Sequence, residues 1–232
     1  MTVKTLGMIG GMSWESSAEY YRRINQGIGK KLGGLHSAKL LLHSVDFDEI
    51  EKLQHGDQWD KMGTILTNIA QDMESAGVDG LIICTNTMHK LAPIISKKIN
   101  IPLLHIADAT AQNLIDDGIS KVGLLGTAFT MEEEFYKGRI SDKYGLEVCV
   151  PIKAQRDNIH RIIYDELCLG ITTDESRRYY TQTINSLKEQ GAEAVILGCT
   201  EIGLLISQQD SSIPVYDTTA IHTDFAVDWM LS

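Results

Sequence analysis

The chain has 232 residues, and its 43% hydrophobic and 22% charged residues suit a packed core rather than a disordered chain. The net charge of −10 argues against a nucleic-acid partner or an anionic membrane, because both require a basic face. No apolar run approaches the ~20 residues of a membrane helix. The length fits one large α/β domain or two domains of roughly 100 residues each.

The four cysteines are far apart in the chain, and no two of them form a C-x-x-C pair. They are Cys84, Cys149, Cys168 and Cys199. This spacing is not typical of zinc fingers or thioredoxin-like motifs, so no metal site is expected. The N-terminal residues lead directly into a strand pattern without the apolar core of a signal peptide. We therefore expect reduced thiols and a cytoplasmic protein.

Short apolar runs alternate with longer amphipathic segments along the chain. Runs without polar alternation are typical of strands covered on both faces, and strand–helix alternation predicts parallel sheets. The predicted strands are residues 5–9, 39–45, 80–84, 102–106, 122–125, 147–150, 194–198 and 214–216. The clearest helical patterns are residues 16–31, 59–76, 132–144 and 176–190.

The second half of the chain repeats landmarks of the first half in the same order. The segment 4–10 (KTLGMIG) resembles 121–126 (KVGLLG), with an offset of 116 residues from Gly7 to Gly123. Three further pairs follow in the same order: 19–22 with 134–137 at an offset of 115, 77–83 with 191–197 at 114, and 101–103 with 213–215 at 112. The nearly constant offset predicts an α/β fold of two pseudo-symmetric lobes, each a parallel sheet flanked by helices, with the active site in the cleft between them. We assign residues 1–105 plus 218–232 to the N-terminal lobe and 106–217 to the C-terminal lobe.

A polar turn follows the third strand of each lobe. The first turn reads CTNTMH (residues 84–89), and the second reads GCTE (residues 198–201). Ligands of open parallel sheets bind beyond the carboxyl ends of the strands, so these turns are the candidate site. Counting eight residues from the repeated glycines Gly77 and Gly191 pairs Thr85, and not Cys84, with Cys199.

Together with Gly10-Gly11-Met12, these turns resemble the aspartate/glutamate racemase family, including its L-aspartate/glutamate-specific and broad-specificity amino-acid racemases. The resemblance covers essentially the whole chain. It implies an isomerase that uses no cofactor, in particular no pyridoxal phosphate, and that is a homodimer acting on a free amino acid. It also implies an acid/base on each face of the substrate α-carbon, with Cys199 as one of them. We expect the N-terminus of a helix after Glu201 to lower the pKa of the Cys199 thiol.

The first turn departs from the family pattern, which reads Cys-Asn-Thr-x-His. Thr85 stands in place of the cysteine, and Cys84 lies one step upstream, where strand alternation directs it away from the cleft. A hydroxyl is a weaker acid than a thiol and a poor base. In the family, the cysteine of the second turn removes the proton of the L-enantiomer, so the resemblance implies that Cys199 does so here. We expect Thr85 or a water that it orients to reprotonate the opposite face, and the enzyme to favour the L-enantiomer. Whether Thr85 or Cys84 is the second acid/base stays open, and His89 is expected only to support the turn.

The substrate side chain would also be bound differently. Aspartate racemases use an arginine and a lysine for the distal carboxylate, and the matching residues here are Ile50 and Cys168. We expect neutral donors to hold aspartate or glutamate, with a broader set of polar amino acids as the alternative. The predicted substrate-binding residues are Met12, Gln54, Asn86, Thr87 and Thr200, with Ser13 as a further candidate contact and Cys84 and Glu201 in supporting positions.

Other functions fit the same pattern. A hydantoin racemase, a maleate isomerase or a malonate decarboxylase would also use cysteines in such a cleft. A two-lobed small-molecule binding protein shares the architecture but needs no reactive thiol. The glycines Gly7, Gly10 and Gly11 lack the G-x-G-x-x-G spacing of a dinucleotide loop, so NAD is not expected.

Overall fold

The computed structural model describes residues 3–232, which form two compact units. Unit 1 contains the chain up to Ile106 together with His222–Ser232, and unit 2 contains Ala107–Ile221. The return to unit 1 falls four residues later than the sequence predicts, inside the continuous helix Thr218–Leu231. The later part of this helix packs with Leu6 and Met8, which explains why it belongs to unit 1.

Unit 1 is built on a three-stranded parallel sheet with the order β2-β1-β3. Its strands are β1 (Thr5–Gly10), β2 (Lys39–Ser44) and β3 (Gly80–Ile83). Its helices are α1 (Trp14–Leu32), α2 (Phe47–His55), α3 (Trp59–Ser75), a 3₁₀ helix (Thr87–Leu91), α4 (Ala92–Ser96) and most of α11 (Thr218–Leu231). Successive β3 residues face opposite sides, as strand geometry requires: Leu81 and Ile83 join one apolar cluster and Ile82 joins the other.

Unit 2 is built on a four-stranded parallel sheet with the order β5-β4-β6-β7. Its strands are β4 (Lys121–Gly126), β5 (Glu147–Cys149), β6 (Ala194–Gly198) and β7 (Val215–Asp217). Its helices are α5 (Ile106–Asp116), α6 (Ala128–Glu132), α7 (Lys137–Tyr144), α8 (Lys153–Asp165), a 3₁₀ helix (Leu167–Leu169), α9 (Asp174–Glu189), α10 (Ile202–Leu205) and a 3₁₀ helix (Gln208–Asp210). The predicted α/β fold with two parallel sheets is confirmed.

The two sheets share the order of their first three strands, as the sequence echoes predict. In each sheet the first strand lies between the second and the third, and unit 2 adds β7 beside β6. The echoed acidic residues also match, since Asp79 accepts a hydrogen bond from the Thr5 amide at 2.6 Å and Glu193 accepts one from the Ser120 amide at 2.7 Å. The repeat in sequence is therefore a repeat in structure.

Two predicted elements are wrong. The segment 102–106 forms only one bridge, between Leu81 and Leu103, because the chain leaves the sheet edge to begin α5 at Ile106. The predicted helix at 132–144 is not continuous, because α6 ends at Glu132 and α7 begins only at Lys137. The backbone becomes extended at Glu133, and the following segment brings Tyr136 into the core of unit 2, where its side chain is fully buried.

Candidate active site

The turn after β3 begins with a buried cysteine. The amide of Cys84 donates to the carbonyl of Ile9 at 2.9 Å, which extends the strand pairing by one residue. Its side chain is 1% exposed and packs in the apolar cluster that contains Leu6 and Tyr20. Burial raises the pKa of the Cys84 thiol, so this cysteine is a neutral core residue.

Thr85 is the half-buried residue of this turn, between Cys84 and the buried polar side chains of Asn86 and Thr87. The carbonyl of Thr85 accepts a hydrogen bond from Nδ1 of His89 at 2.8 Å. The Thr85 side chain is therefore partly exposed, whereas the residues on both sides of it are buried. His89 supports the turn, as the sequence predicts.

The turn after β1 depends on a glycine. Gly11 has a φ of 91°, and a Cβ there would lie 2.3 Å from the carbonyl oxygen of Val45. The next residue, Met12, is 4% exposed and belongs to the same apolar cluster as Ile50, while Gln54 is buried one turn further along α2. Unit 1 thus brings Met12 and Ile50 together, and both lie in the apolar core.

The turn after β6 joins three residues at one carboxylate. The Cys199 thiol donates to Oε2 of Glu201 at 3.0 Å, and the hydroxyl of Thr200 donates to the same oxygen at 2.7 Å. All three residues are buried. A thiol in contact with a carboxylate has a proton acceptor within hydrogen-bond distance, which a proton-transfer site requires.

The environment raises the pKa of the Cys199 thiol. Burial is the largest cause, followed by the charge of Glu201 and then by Cys168. The prediction that the turn lowers this pKa is therefore wrong. The helix that follows, α10, has only four residues, and its dipole does not offset burial and a carboxylate in contact with the thiol.

Sequence reasoning missed a tyrosine near this turn. Tyr180 of α9 is fully buried, and the pKa of its hydroxyl is raised by burial first and then by Cys199, Cys168, Glu166 and Glu201. Its position on an amphipathic helix is typical of a core residue, so the sequence carries no sign of its place beside Cys199. Ser16 of α1 was missed for the same reason, although its hydroxyl bonds the Cys84 carbonyl.

Across residues 3–232, no group of three or more His, Cys, Asp or Glu side chains is arranged to hold a metal ion. In the same part of the chain, no helix has both the length and the apolar character needed to cross a membrane.

Comparison with known proteins agrees with this fold. Residues 9–226 match the family described as Asp/Glu/Hydantoin racemase. The chain is 22% identical over 223 residues to the broad specificity amino-acid racemase RacX of Bacillus subtilis (strain 168), with 93% of each chain covered.

Two crystal structures are similar over nearly the whole chain. A candidate Asp/Glu racemase from Yersinia pestis is 52% identical, with a TM-score of 0.93 over 99% of this chain and 100% of that one. An aspartate racemase homologue from Pyrococcus horikoshii OT3 is 32% identical, with a TM-score of 0.85 over the same shares. The chain therefore belongs to the Asp/Glu/hydantoin racemase family and is an isomerase of the amino-acid racemase class that works without pyridoxal phosphate.

Proposed function

We propose that this enzyme interconverts the enantiomers of aspartate or glutamate, with Cys199 and Thr85 acting on opposite faces of the substrate α-carbon. The proposal rests on the 3.0 Å hydrogen bond from the Cys199 thiol to Glu201. This pair lies in the turn that the internal repeat matches to the turn of Thr85.

The proposed reaction begins with proton transfer from the Cys199 thiol to the Glu201 carboxylate. The resulting thiolate removes the α-proton of the L-enantiomer and becomes a thiol again, leaving a carbanion stabilised by the substrate carboxylate. Thr85, or a water that it orients, donates a proton to the opposite face and regains one from solvent, and Glu201 releases its proton to solvent, which restores the starting state of the enzyme. The D-enantiomer follows the reverse sequence, so each face needs its own acid/base.

The Cys199 thiol is a stronger acid than the Thr85 hydroxyl. We expect this difference to make the L-enantiomer the preferred substrate. The equilibrium constant of racemisation is one, so kcat/KM is equal in the two directions. The preference for L-substrate therefore resides in kcat and KM separately, with different values of each for the two enantiomers.

Aspartate and glutamate are the proposed substrates on the basis of the family, with Gln54, Asn86, Thr87 and Thr200 as neutral contacts and Met12 as a neighbouring wall. A broader set of polar amino acids is the second candidate. It is favoured by Ile50, which is apolar and 2% exposed where aspartate racemases carry an arginine, and by the similarity to RacX. A free Cys199 thiol requires a reducing compartment, and we place the enzyme in the cytoplasm.

We also propose a homodimer, as the family resemblance implies. Leu41 and Leu42 on the edge strand β2 are 37% and 42% exposed, and Leu35 before it is fully exposed, which gives this edge an apolar surface suited to a second copy. Light scattering of the purified protein tests this directly. A monomer at micromolar concentration would contradict it.

The test of the proposed function is proton NMR in D₂O without added cofactor. Purified enzyme is mixed with L-aspartate, L-glutamate or a panel of neutral L-amino acids, and the α-proton signal and optical rotation are followed. We expect both to decline with an acidic amino acid, and Cys199→Ser to reduce the rate by about 1,000-fold or more.

The matched control is Cys149→Ser, because this thiol lies on β5 of the same unit and is only half-buried. It should leave the rate within about twofold. Persistence of every α-proton would contradict the proposal. The next candidates would then be the hydantoins of a hydantoin racemase, the dicarboxylic acids of a maleate isomerase, and a two-lobed binding protein that keeps ligand affinity in Cys199→Ser.

A further inference from the structure

The two peptide groups that flank the Thr85 side chain are both held by other side chains. The carbonyl of Cys84 accepts a hydrogen bond from the hydroxyl of Ser16 on α1 at 2.7 Å. The carbonyl of Thr85 accepts one from Nδ1 of His89 at 2.8 Å. At the end of a strand, where the sheet no longer fixes the backbone, these two bonds orient the residue between them.

The partners of His89 also fix where its proton lies. The Thr85 carbonyl can only accept, so Nδ1 carries the proton. The amide of Ile106 can only donate, and it lies 3.3 Å from Nε2, so Nε2 carries a lone pair. His89 is therefore the neutral Nδ1–H tautomer, and it links the Thr85 turn to the last residue of unit 1 before the chain enters unit 2.

A second buried histidine, His222, lies next to His89 and is also hydrogen-bonded through both ring nitrogens. Nε2 of His222 donates to the carbonyl of Leu104 at 2.9 Å, and its Nδ1 accepts from the hydroxyl of Tyr20 at 2.9 Å. The rings of His89 and His222 are 5.8 Å apart, and His105 lies 4.5 Å from His89. All three histidines are buried, so an orphaned hydrogen-bonding group in this buried histidine cluster would be costly.

We infer that Ser16 and His89 are positioning residues of the racemase, which aim the Thr85 hydroxyl at its face of the α-carbon by holding the carbonyls of Cys84 and Thr85. The inference rests on the proposed function, because it gives Thr85 a role to support. It predicts a defect on one face only. A residue that merely stabilised the fold would affect both faces equally.

Two variants of His89 separate its two hydrogen bonds. His89→Asn keeps a donor near the Nδ1 position and so keeps the bond to the Thr85 carbonyl. His89→Gln reaches the Nε2 position and keeps the contact with Ile106 instead. Ser16→Ala removes the other carbonyl bond with the smallest change of volume, and Ile28→Val, buried on α1 of the same unit, is the control for stability alone.

The readout is the ratio of α-proton exchange without inversion to inversion, measured with L-substrate in D₂O. With Thr85 misaligned, the Cys199 thiol has time to exchange its proton with D₂O, and the carbanion is then deuterated on the face that it came from. We expect His89→Gln and Ser16→Ala to slow inversion by about 10- to 100-fold and to raise this ratio. We expect His89→Asn and Ile28→Val to keep the unmodified ratio.

An unchanged ratio in folded Ser16→Ala and His89→Gln would overturn the inference, even if both rates fell together. If His89→Gln does not fold, Ser16→Ala decides alone. Absence of exchange and inversion in the unmodified enzyme would contradict the proposed function itself, and the inference with it. The two failures are therefore distinguishable.

Discussion

The turns that follow β3 and β6 occupy equivalent places in the two units, yet they hold Thr85 and Cys199 in different ways. In unit 2 the Cys199 side chain is buried and bonded directly to Glu201. In unit 1 the Thr85 side chain is half-buried, and it is the backbone of the turn that Ser16 and His89 hold. The turn of unit 2 gives the Cys199 side chain a hydrogen-bond partner, whereas the hydrogen bonds of unit 1 hold the backbone on both sides of Thr85.

In the proposed mechanism, this difference lets a weak acid/base and a stronger one share a reaction. A thiol can be activated by a carboxylate in contact with it, so Cys199 needs a nearby base. A threonine hydroxyl cannot be ionised readily at neutral pH, so its contribution depends on where it points or on the water that it orients.

The largest effect after loss of Cys199 is expected at Thr85. Thr85→Val keeps the shape but removes the hydroxyl, so inversion should fall by about 100-fold while Cys199 continues to exchange the α-proton of L-substrate. Deuterium incorporation and chiral chromatography measure the two rates. Equal loss of both rates would show that the hydroxyl does not serve one face.

Thr85→Cys makes the opposite change at this position, because it adds a stronger acid/base group instead of removing one. A thiol on this face should raise kcat for the D-enantiomer by about tenfold, because the two turns would then carry similar groups. Steady-state kinetics with each enantiomer measure the change. An unchanged kcat with D-substrate would contradict an acid/base role for this position.

Removal of the carboxylate from unit 2 should change the pH profile. The Glu201 charge raises the pKa of the Cys199 thiol, so Glu201→Gln lowers this pKa and moves the rise of kcat/KM to lower pH. The rate at the plateau should fall about tenfold because the proton acceptor is lost. Glu189→Gln, an exposed acid on α9, is the control.

Acid should weaken unit 1 through its buried histidine cluster. Burial lowers the pKa of His222 from 6.5 to about 4. The unfolded chain therefore takes up a proton before the folded chain does, and stability falls as the pH drops from 6.5 to about 4. The loss is at most about 3 kcal/mol. Urea unfolding at several pH values measures it, and a pH-independent midpoint across this range would contradict it.

The smallest effect is expected at Cys84. Cys84→Ala removes one sulfur atom from the apolar cluster of unit 1 and should lower the free energy of unfolding by about 1 kcal/mol. Racemisation by the folded variant should stay within about twofold. Chemical denaturation and the racemase assay check the two parts. A rate loss as large as that of Thr85→Val would make Cys84 the second acid/base.

Much of the fold follows from the sequence because the repeat is local and periodic. The continuous apolar runs mark the strands, and the echoes of Gly7 and Gly77 in the second half predict the matching sheets. The failures arise where tertiary structure decides, as at residues 102–106, where the chain must leave the sheet for α5, and at Tyr136, whose burial divides a helix.

The sequence predicts candidate residues but not their surroundings. The pattern of turns points to Thr85, Cys199 and Glu201, because they follow repeated strands, and their roles stay predictions. The pKa of Cys199 could not be predicted, since it depends on burial and on a contact with Glu201 that only folding creates. Ser16 lies 68 residues from Cys84 in the chain, and no local pattern links them.

In the proposed mechanism, two different groups serve the two faces of one α-carbon, and the isotope content of the early product distinguishes this mechanism from transfer by a single group. The enzyme is given protiated L-aspartate in D₂O, and the reaction is stopped after a small fraction has converted. We predict D-aspartate that carries deuterium at Cα, while the remaining L-aspartate is still protiated, because the proton removed by Cys199 is not the one delivered from the Thr85 face. D-aspartate that retains the original proton would show that one group carries this proton between the two faces. That result would contradict the mechanism in which Cys199 and Thr85 serve separate faces.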